Sequence, residues 1–222
     1  MELDLKRHLP GTVTITARAE LTTGQHHRRI THFPSNKNKS AVGCTVLQHS
    51  DFCIHLEYEP RVTGYCSRPG KIRFEKTNQC YSPDFCALFD EDHIVFYELL
   101  KPTTVILQVE KDRQSGLRAL FSEAGLNLEI IMLASISQSP KTLNLRHLYH
   151  HALHGTSEGA RRVVATINNF ASDEVSVQHL LSSGHPAKDI AYSIFYQMTS
   201  VNLSQPFNLD TRLRSSQHAR FD

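Results

Sequence analysis

From Phe170 to Ala219 the chain reads FASDEVSVQHLLSSGHPAKDIAYSIFYQMTSVNLSQPFNLDTRLRSSQHA. Its punctuation is that of short helices separated by tight turns. Residues 173–181 put Val177, Leu180 and Leu181 on one stripe, and Gly184 closes that helix. Pro186, favoured at helix starts, leads into a second helix over 187–194, whose buried side is Ile190, Ala191 and Ile194. A turn over 195–198 precedes a third helix beginning near Thr199. Short helices joined by three- or four-residue turns have helix-turn-helix geometry, which places a helix in the DNA major groove.

Upstream lies another helix, 142–154, closed by Gly155. Leu145, Leu148, Tyr149, Ala152 and Leu153 share one of its faces; His147, His150, His151 and His154 share the other. Three readings of that imidazole stripe stay open: a solvated helix face, a pH-sensitive or oligomer-contact face, or a metal-chelating one.

The first half of the chain has a different rhythm. Residues 12–17 (TVTITA) alternate as a β-strand should, and 44–48, 52–58, 71–75 and 93–100 read as further strands. A loop over 22–40 carries a basic run, 25–39. Residues 105–109 read as a strand, 113–124 as a helix ended by Gly125, and 126–133 as a strand, a β-α-β unit with Glu110 and Asp112 in its first turn. The fold class expected is α+β. A strand-rich N-terminal domain, 1–140, for sensing or interaction leads through connecting helices, 141–168, to a helix-turn-helix-like domain, 169–222. The linker falls in 134–141, which contains Ser, Gln and Pro140.

Composition narrows the function classes. The 222 residues carry 24 Lys+Arg against 22 Asp+Glu, which excludes a histone-like basic tail, and 40% hydrophobic residues exclude wholesale disorder. Charge is uneven: seven basic against three acidic residues in 1–50, nine against thirteen in 51–130, eight against six in 131–222. There is no apolar run of signal-peptide or membrane-span length. The five cysteines (Cys44, Cys53, Cys66, Cys80, Cys86) form no C-x-x-C pair. They read as reduced thiols of a cytoplasmic protein, with a metal or redox role as the alternative. No nucleotide-binding glycine loop, zinc-hydrolase motif or serine-nucleophile elbow occurs, so no catalytic residue, cofactor or metal ligand is assigned. A thiol–imidazole pair of Cys80 or Cys86 with His93 is the one catalytic arrangement considered.

The C-terminal stretch also resembles the DNA-binding domain of LuxR-type (GerE-type) transcriptional regulators. The matching positions are Glu174, Val177, Leu180, Leu181, Gly184, Lys188, Asp189, Ile190, Ala191 and Ile194, with Ser200-Val201 at the family's Thr-Val position. The match covers about 50 residues without a gap. Departures are Gln197 where the family starts its recognition helix with Ser, Asn202 and Ser204 at positions often Lys and His, and Pro206 inside that helix. Residues 170–222 hold four basic and five acidic side chains, a weak phosphate footprint. The resemblance implies a DNA-binding regulator, commonly dimeric, with Lys188, Ser200, Asn202, Ser204, Gln205, Arg212 and Arg214 as candidate DNA contacts. The alternative is a non-catalytic interaction or adaptor protein with a protein partner.

Overall fold

The segment Ile94–Leu100 (β8) is apolar on both faces, with every residue but Glu98 buried, so both sides of it must be covered. It pairs antiparallel with β7 (Phe85–Phe89), which pairs with β4 (Val62–Ser67), and parallel with β9 (Asn127–Met132). A parallel neighbour requires a crossover, supplied by helix α2 (Gln108–Glu123). α2 closes on Gly125, whose φ of +76° is the left-handed geometry glycine tolerates. Phe121 of α2 is fully buried and meets Phe74, Tyr81 and Phe96 edge-on at 5.1, 5.6 and 5.7 Å. Around it gather Ile72, Cys86, Leu126 and Leu128, the core on that side of the sheet.

The computed structural model describes residues 5–17, 30–90, 93–101, 108–170, 172 and 174–216. It is a mixed α+β chain with strands mostly in its first half and helices later. Two compact units divide it, Met1–Ile136 and Ser137–Asp222. The first adds a small sheet in the order β1-β5-β6, from Val13–Thr16, Lys71–Phe74 and Gln79–Tyr81. It also has a hairpin of β2 (Thr31–Ser35) and β3 (Ser40–Cys44), and a helix, α1 (Leu47–Tyr58).

Several sequence expectations need correction here. Residues 52–58 are not a strand but the body of α1, and the strand expected over 44–48 ends at Cys44. The alternation misled because α1 is buried around much of its circumference: Asp51, Phe52, Cys53, Ile54, Leu56 and Glu57 are all inside. A helix sealed on several sides shows no single apolar stripe. Residues 105–107 of the strand expected over 105–109 lie outside the described residues; Gln108 and Val109 open α2, so Glu110 and Asp112 sit on a helix rather than in a turn. The expected linker is largely helical: α3 spans Leu133–Ser137, and α4 (Pro140–Ala152) starts behind Ser139, whose Oγ accepts the Thr142 amide at 3.1 Å. The expected basic loop continues into β2 and β3; its residues 22–29 lie outside the described residues.

The second unit is built on α7 (Ala187–Phe195), which α4 and α5 (Ser157–Asn168) both pack against. α4 presents Leu145, Leu148, Tyr149 and Ala152 inward, with the Tyr149 and Phe195 rings 4.7 Å apart. A three-stranded sheet in the order β10-β12-β11 completes the unit. Its strands are Val175–Ser176, Arg212–Ser215 and Thr199–Ser200.

Candidate nucleic-acid interface

The helix pair expected from the sequence forms, with shifted limits. α6 is Val177–Ser182, capped by Ser176, whose Oγ accepts the His179 amide at 3.2 Å. Glu174 and Val175 precede it rather than belong to it, and Asp173 lies outside the described residues. A four-residue turn, 183–186, carries Gly184 at φ +86° and delivers the chain to α7. α7 shows solvent little of itself. Asp189, Ile190, Ala191, Ser193, Ile194 and Phe195 are buried, leaving Ala187 and Lys188 exposed and Tyr192 half-buried.

Asp189, 3% exposed, faces inward: its Oδ1 accepts the Thr156 amide at 3.0 Å ahead of α5. Gly159 makes room for that carboxylate, since a Cβ there would overlap it. The carboxylate therefore ties α7 to the start of α5.

The third helix expected near Thr199 does not form, and with it the recognition helix implied by the LuxR-type resemblance is missing. Gln197 takes a left-handed φ of 56°, Thr199–Ser200 becomes β11, and 201–211 is a loop returning to β12. Two features of the sequence account for this. Pro206 cannot continue a helix. Ser200 and Thr199 pair instead with Arg214 and Ser215 across the sheet, while buried Thr199 reaches Ser193 Oγ at 3.3 Å.

The change of element gathers most of the expected contact residues. Ser200, Asn202, Gln205, Arg212 and Arg214 line one groove of about 710 Å³ between β11, β12 and their loop. Ser204 is exposed on the same loop, its amide donating to Asn202 Oδ1 at 3.0 Å, but it does not line the groove. Lys188, on the first turn of α7, is also outside it. Glu174 and Asp210 share the lining, so its formal charge is zero. Arg214 donates through Nε to Glu174 Oε1 at 2.6 Å. Arg212 is exposed and has no carboxylate partner among the described residues. The groove thus offers amide and hydroxyl groups with one unpaired guanidinium, a surface for hydrogen bonding more than for bulk charge attraction.

One residue absent from the sequence reading fixes this groove. Asn144 of α4 donates through Nδ2 to the carbonyls of Leu203 at 2.9 Å and Gln205 at 2.7 Å, and its Oδ1 accepts the Phe207 amide at 3.4 Å. Nothing local announces a contact across some sixty residues. The Asn208–Thr211 turn, not read from the sequence, carries a local signal that could have found it: an Asn hydrogen-bonding ahead to its own backbone is an ordinary turn signal, and Asn208 Oδ1 accepts the Asp210 amide at 2.9 Å.

The histidine face of α4 is as spaced from His147 to His151, but the helix ends at Ala152, so Leu153 and His154 of the expected 142–154 helix lie in the turn beyond it. His147, His150 and His154 are exposed and His151 half-buried; the 147–151 and 150–151 ring centroids are 4.8 and 5.6 Å apart. Burial first, then the neighbouring imidazoles, holds the His151 pKa below its usual value. Among the described residues, no group of three or more His, Cys, Asp or Glu is placed to hold a metal ion.

The first unit holds two polar clusters that the sequence did not disclose, one buried around Glu57 and one half-buried around Glu98. Glu57 accepts from Tyr65 Oη at 3.0 Å and from Ser35 Oγ. Glu98 accepts from Arg113 Nη2 at 2.6 Å, and its buried Oε2 has no hydrogen-bond partner among the described residues; nearby, Asp84 Oδ2 accepts the Leu99 amide at 2.8 Å. Burial, then Glu98 and Asp84, pushes the Tyr81 phenol well above its usual pKa. The thiol–imidazole pair considered from the sequence is not formed: Cys86 is buried against Cys66, Cys80 is exposed, and the contacts of His93 are with Asn127 and Phe89.

No known family model matches the chain, and no curated protein matches it in sequence. Among the described residues no helix is long and apolar enough to cross a membrane.

Proposed function

We propose that this protein is a cytoplasmic DNA-binding transcriptional regulator that contacts DNA through the C-terminal groove. In this reading the N-terminal unit senses a signal or pairs two copies. The observation that carries it is the convergence of Ser200, Asn202, Gln205, Arg212 and Arg214 on one groove beside the α6–α7 pair. Asn and Gln amides suit base edges, and Arg suits a guanine edge or a phosphate. The hairpin of β11, loop and β12 takes over the task that the sequence assigned to a third helix. Lys188, exposed at the start of α7, adds a backbone contact.

A band-shift at physiological salt, with excess competitor DNA, tests this. A sequence-selected complex that weakens about tenfold or more in N202A/Q205A and in R212A supports it, in line with about 1–3 kcal/mol per good base contact. Equal, weak binding to every duplex, or none, overturns it.

A second reading, an adaptor that binds a protein strand, draws on the zero formal charge of the groove. A complex with a purified protein partner that survives nuclease and is lost in R212A selects that reading.

A further inference from the structure

Four of the five cysteines meet in pairs. Cys44 Sγ lies 3.7 Å from Cys53 Sγ, and Cys66 Sγ lies 3.4 Å from Cys86 Sγ. The pairs differ in position and access. Cys44 and Cys53 are both fully buried, between β3 and α1. Cys66 and Cys86 face each other directly across β4 and β7, and Cys66 is half-exposed while Cys86 is sealed in the core. Opposed residues of antiparallel strands have Cα atoms about 4.5–5.5 Å apart. A disulfide spans about 4.4–6.8 Å. The backbone is therefore already placed for a bond, and the two sulfurs need to close by only about 1.4 Å to reach the usual S–S distance.

We propose that Cys66 and Cys86 are an oxidative modification site, at which hydrogen peroxide converts the two thiols to a disulfide. Access decides the order of events. The Cys66 thiolate attacks the peroxide, breaking its O–O bond. Cys66 becomes a sulfenic acid and the leaving oxygen departs as water after taking a proton. Cys86 then attacks the sulfenic sulfur. The S–S bond forms, the S–O bond breaks, and the Cys86 proton leaves with hydroxide as a second water. The thiols lose two electrons and the peroxide gains them. Cys86 is the resolving partner because peroxide cannot reach it directly, and its contact with the Cys66 sulfur, then burial, pushes its thiol pKa up. The Cys44–Cys53 pair has the contact without the access, and exposed Cys80 has access with no cysteine partner among the described residues. A strained or partly exposed disulfide is readily reduced, so a small thiol would restore the pair.

The test uses the full chain carrying C80S, treated in its native state with hydrogen peroxide and mapped by non-reducing peptide mass spectrometry. The expected product is a Cys66–Cys86-linked peptide, lighter by two hydrogens than the two free peptides and returned to them by dithiothreitol. In C80S/C86S, a dimedone-type probe should label Cys66 as its sulfenic acid. In C80S/C66S, Cys86 should stay unreacted, which keeps the test intact if the C86S chain does not fold. Sulfinic acid at Cys66 with Cys86 still free, linkage of Cys44 to Cys53 in its place, or no mass change overturns the proposal.

Discussion

Replacing Gly159 with Ala should destabilise the second unit, against the usual preference for Ala in helices. Gly159 sits in the first turn of α5, its amide donating to Thr156 Oγ1 at 3.0 Å. A methyl group there occupies the space of the buried Asp189 carboxylate. Helix propensity alone would favour Ala by about 1 kcal/mol. Against that, overpacking a tight contact costs about 1–3 kcal/mol. Expelling Asp189 also strands the Thr156 amide, worth about 1–3 kcal/mol more. Together these give a net loss of about 1–5 kcal/mol, with the middle of that range, about 2–4 kcal/mol, expected. Gly116, an exposed glycine in α2 with nothing near its Cβ position, is the control: there Ala should stabilise by about 0.5–1 kcal/mol. Urea unfolding gives the global effect. Because the chain has two units, hydrogen exchange on peptides of α5 and α7 assigns the loss to the second, where exchange should quicken roughly 30- to 700-fold. In G159A/D189A the overlap is gone, so the double variant should be no less stable than D189A alone. A G159A chain as stable as the wild type, or gaining stability as G116A does, refutes the packing argument.

Asn144→Ala should remove the tie on the β11–β12 loop; exchange at 203–207 should rise at least tenfold, and DNA affinity should fall without any contact residue being altered. Phe121→Ala should cost the first unit about 3–5 kcal/mol in urea unfolding, since it empties the ring cluster over β8. Lys37 supplies a pH test. Burial lowers its pKa to about 8, outweighing the pull of Glu57, Glu59 and Asp90. Between about pH 8 and 10.5 the unfolded chain then binds the proton the folded one has released, so this group's contribution makes stability rise with pH. The rise should amount to about 2–3 kcal/mol and be absent from K37M; a parallel pH profile for the two chains contradicts it.

What the sequence could disclose follows from how local each cause was. Gly125 and Gly184 ended their helices as read, because a left-handed C-terminal residue is a one-position requirement. The Leu145, Leu148, Tyr149, Ala152 stripe was legible because α4 is buried on one side only. α1 was misread for the opposite reason. The groove was half legible: its polar side chains were identified, yet the element carrying them was not. Pro186 and the spacing of Ile190, Ala191 and Ile194 located α7 but could not reveal that Thr199 would pair in a sheet with Ser215, sixteen positions later. Asn144 and the Gly159–Asp189 contact depend on segments brought together only by the fold.

The missing third helix also changes what charge means for this protein. A major-groove helix flanked by phosphate contacts would need basic residues that the C-terminal stretch lacks, and the near-neutral tail argued against DNA binding for that reason. A hairpin groove asks less. Arg214 is engaged by Glu174, which leaves Arg212 and Lys188 as the exposed cations beside the groove and at the head of α7. Two phosphate contacts would release few counterions, so the slope of log K against log salt should be about −2, far shallower than for a strongly basic domain. E174Q frees Arg214 and should steepen that slope by about one and raise affinity for any duplex, while N202A/Q205A should leave the slope unchanged and flatten preference among sequences. If E174Q leaves the salt dependence as it was, Arg214 does not face nucleic acid, and the neutral groove belongs to a protein strand.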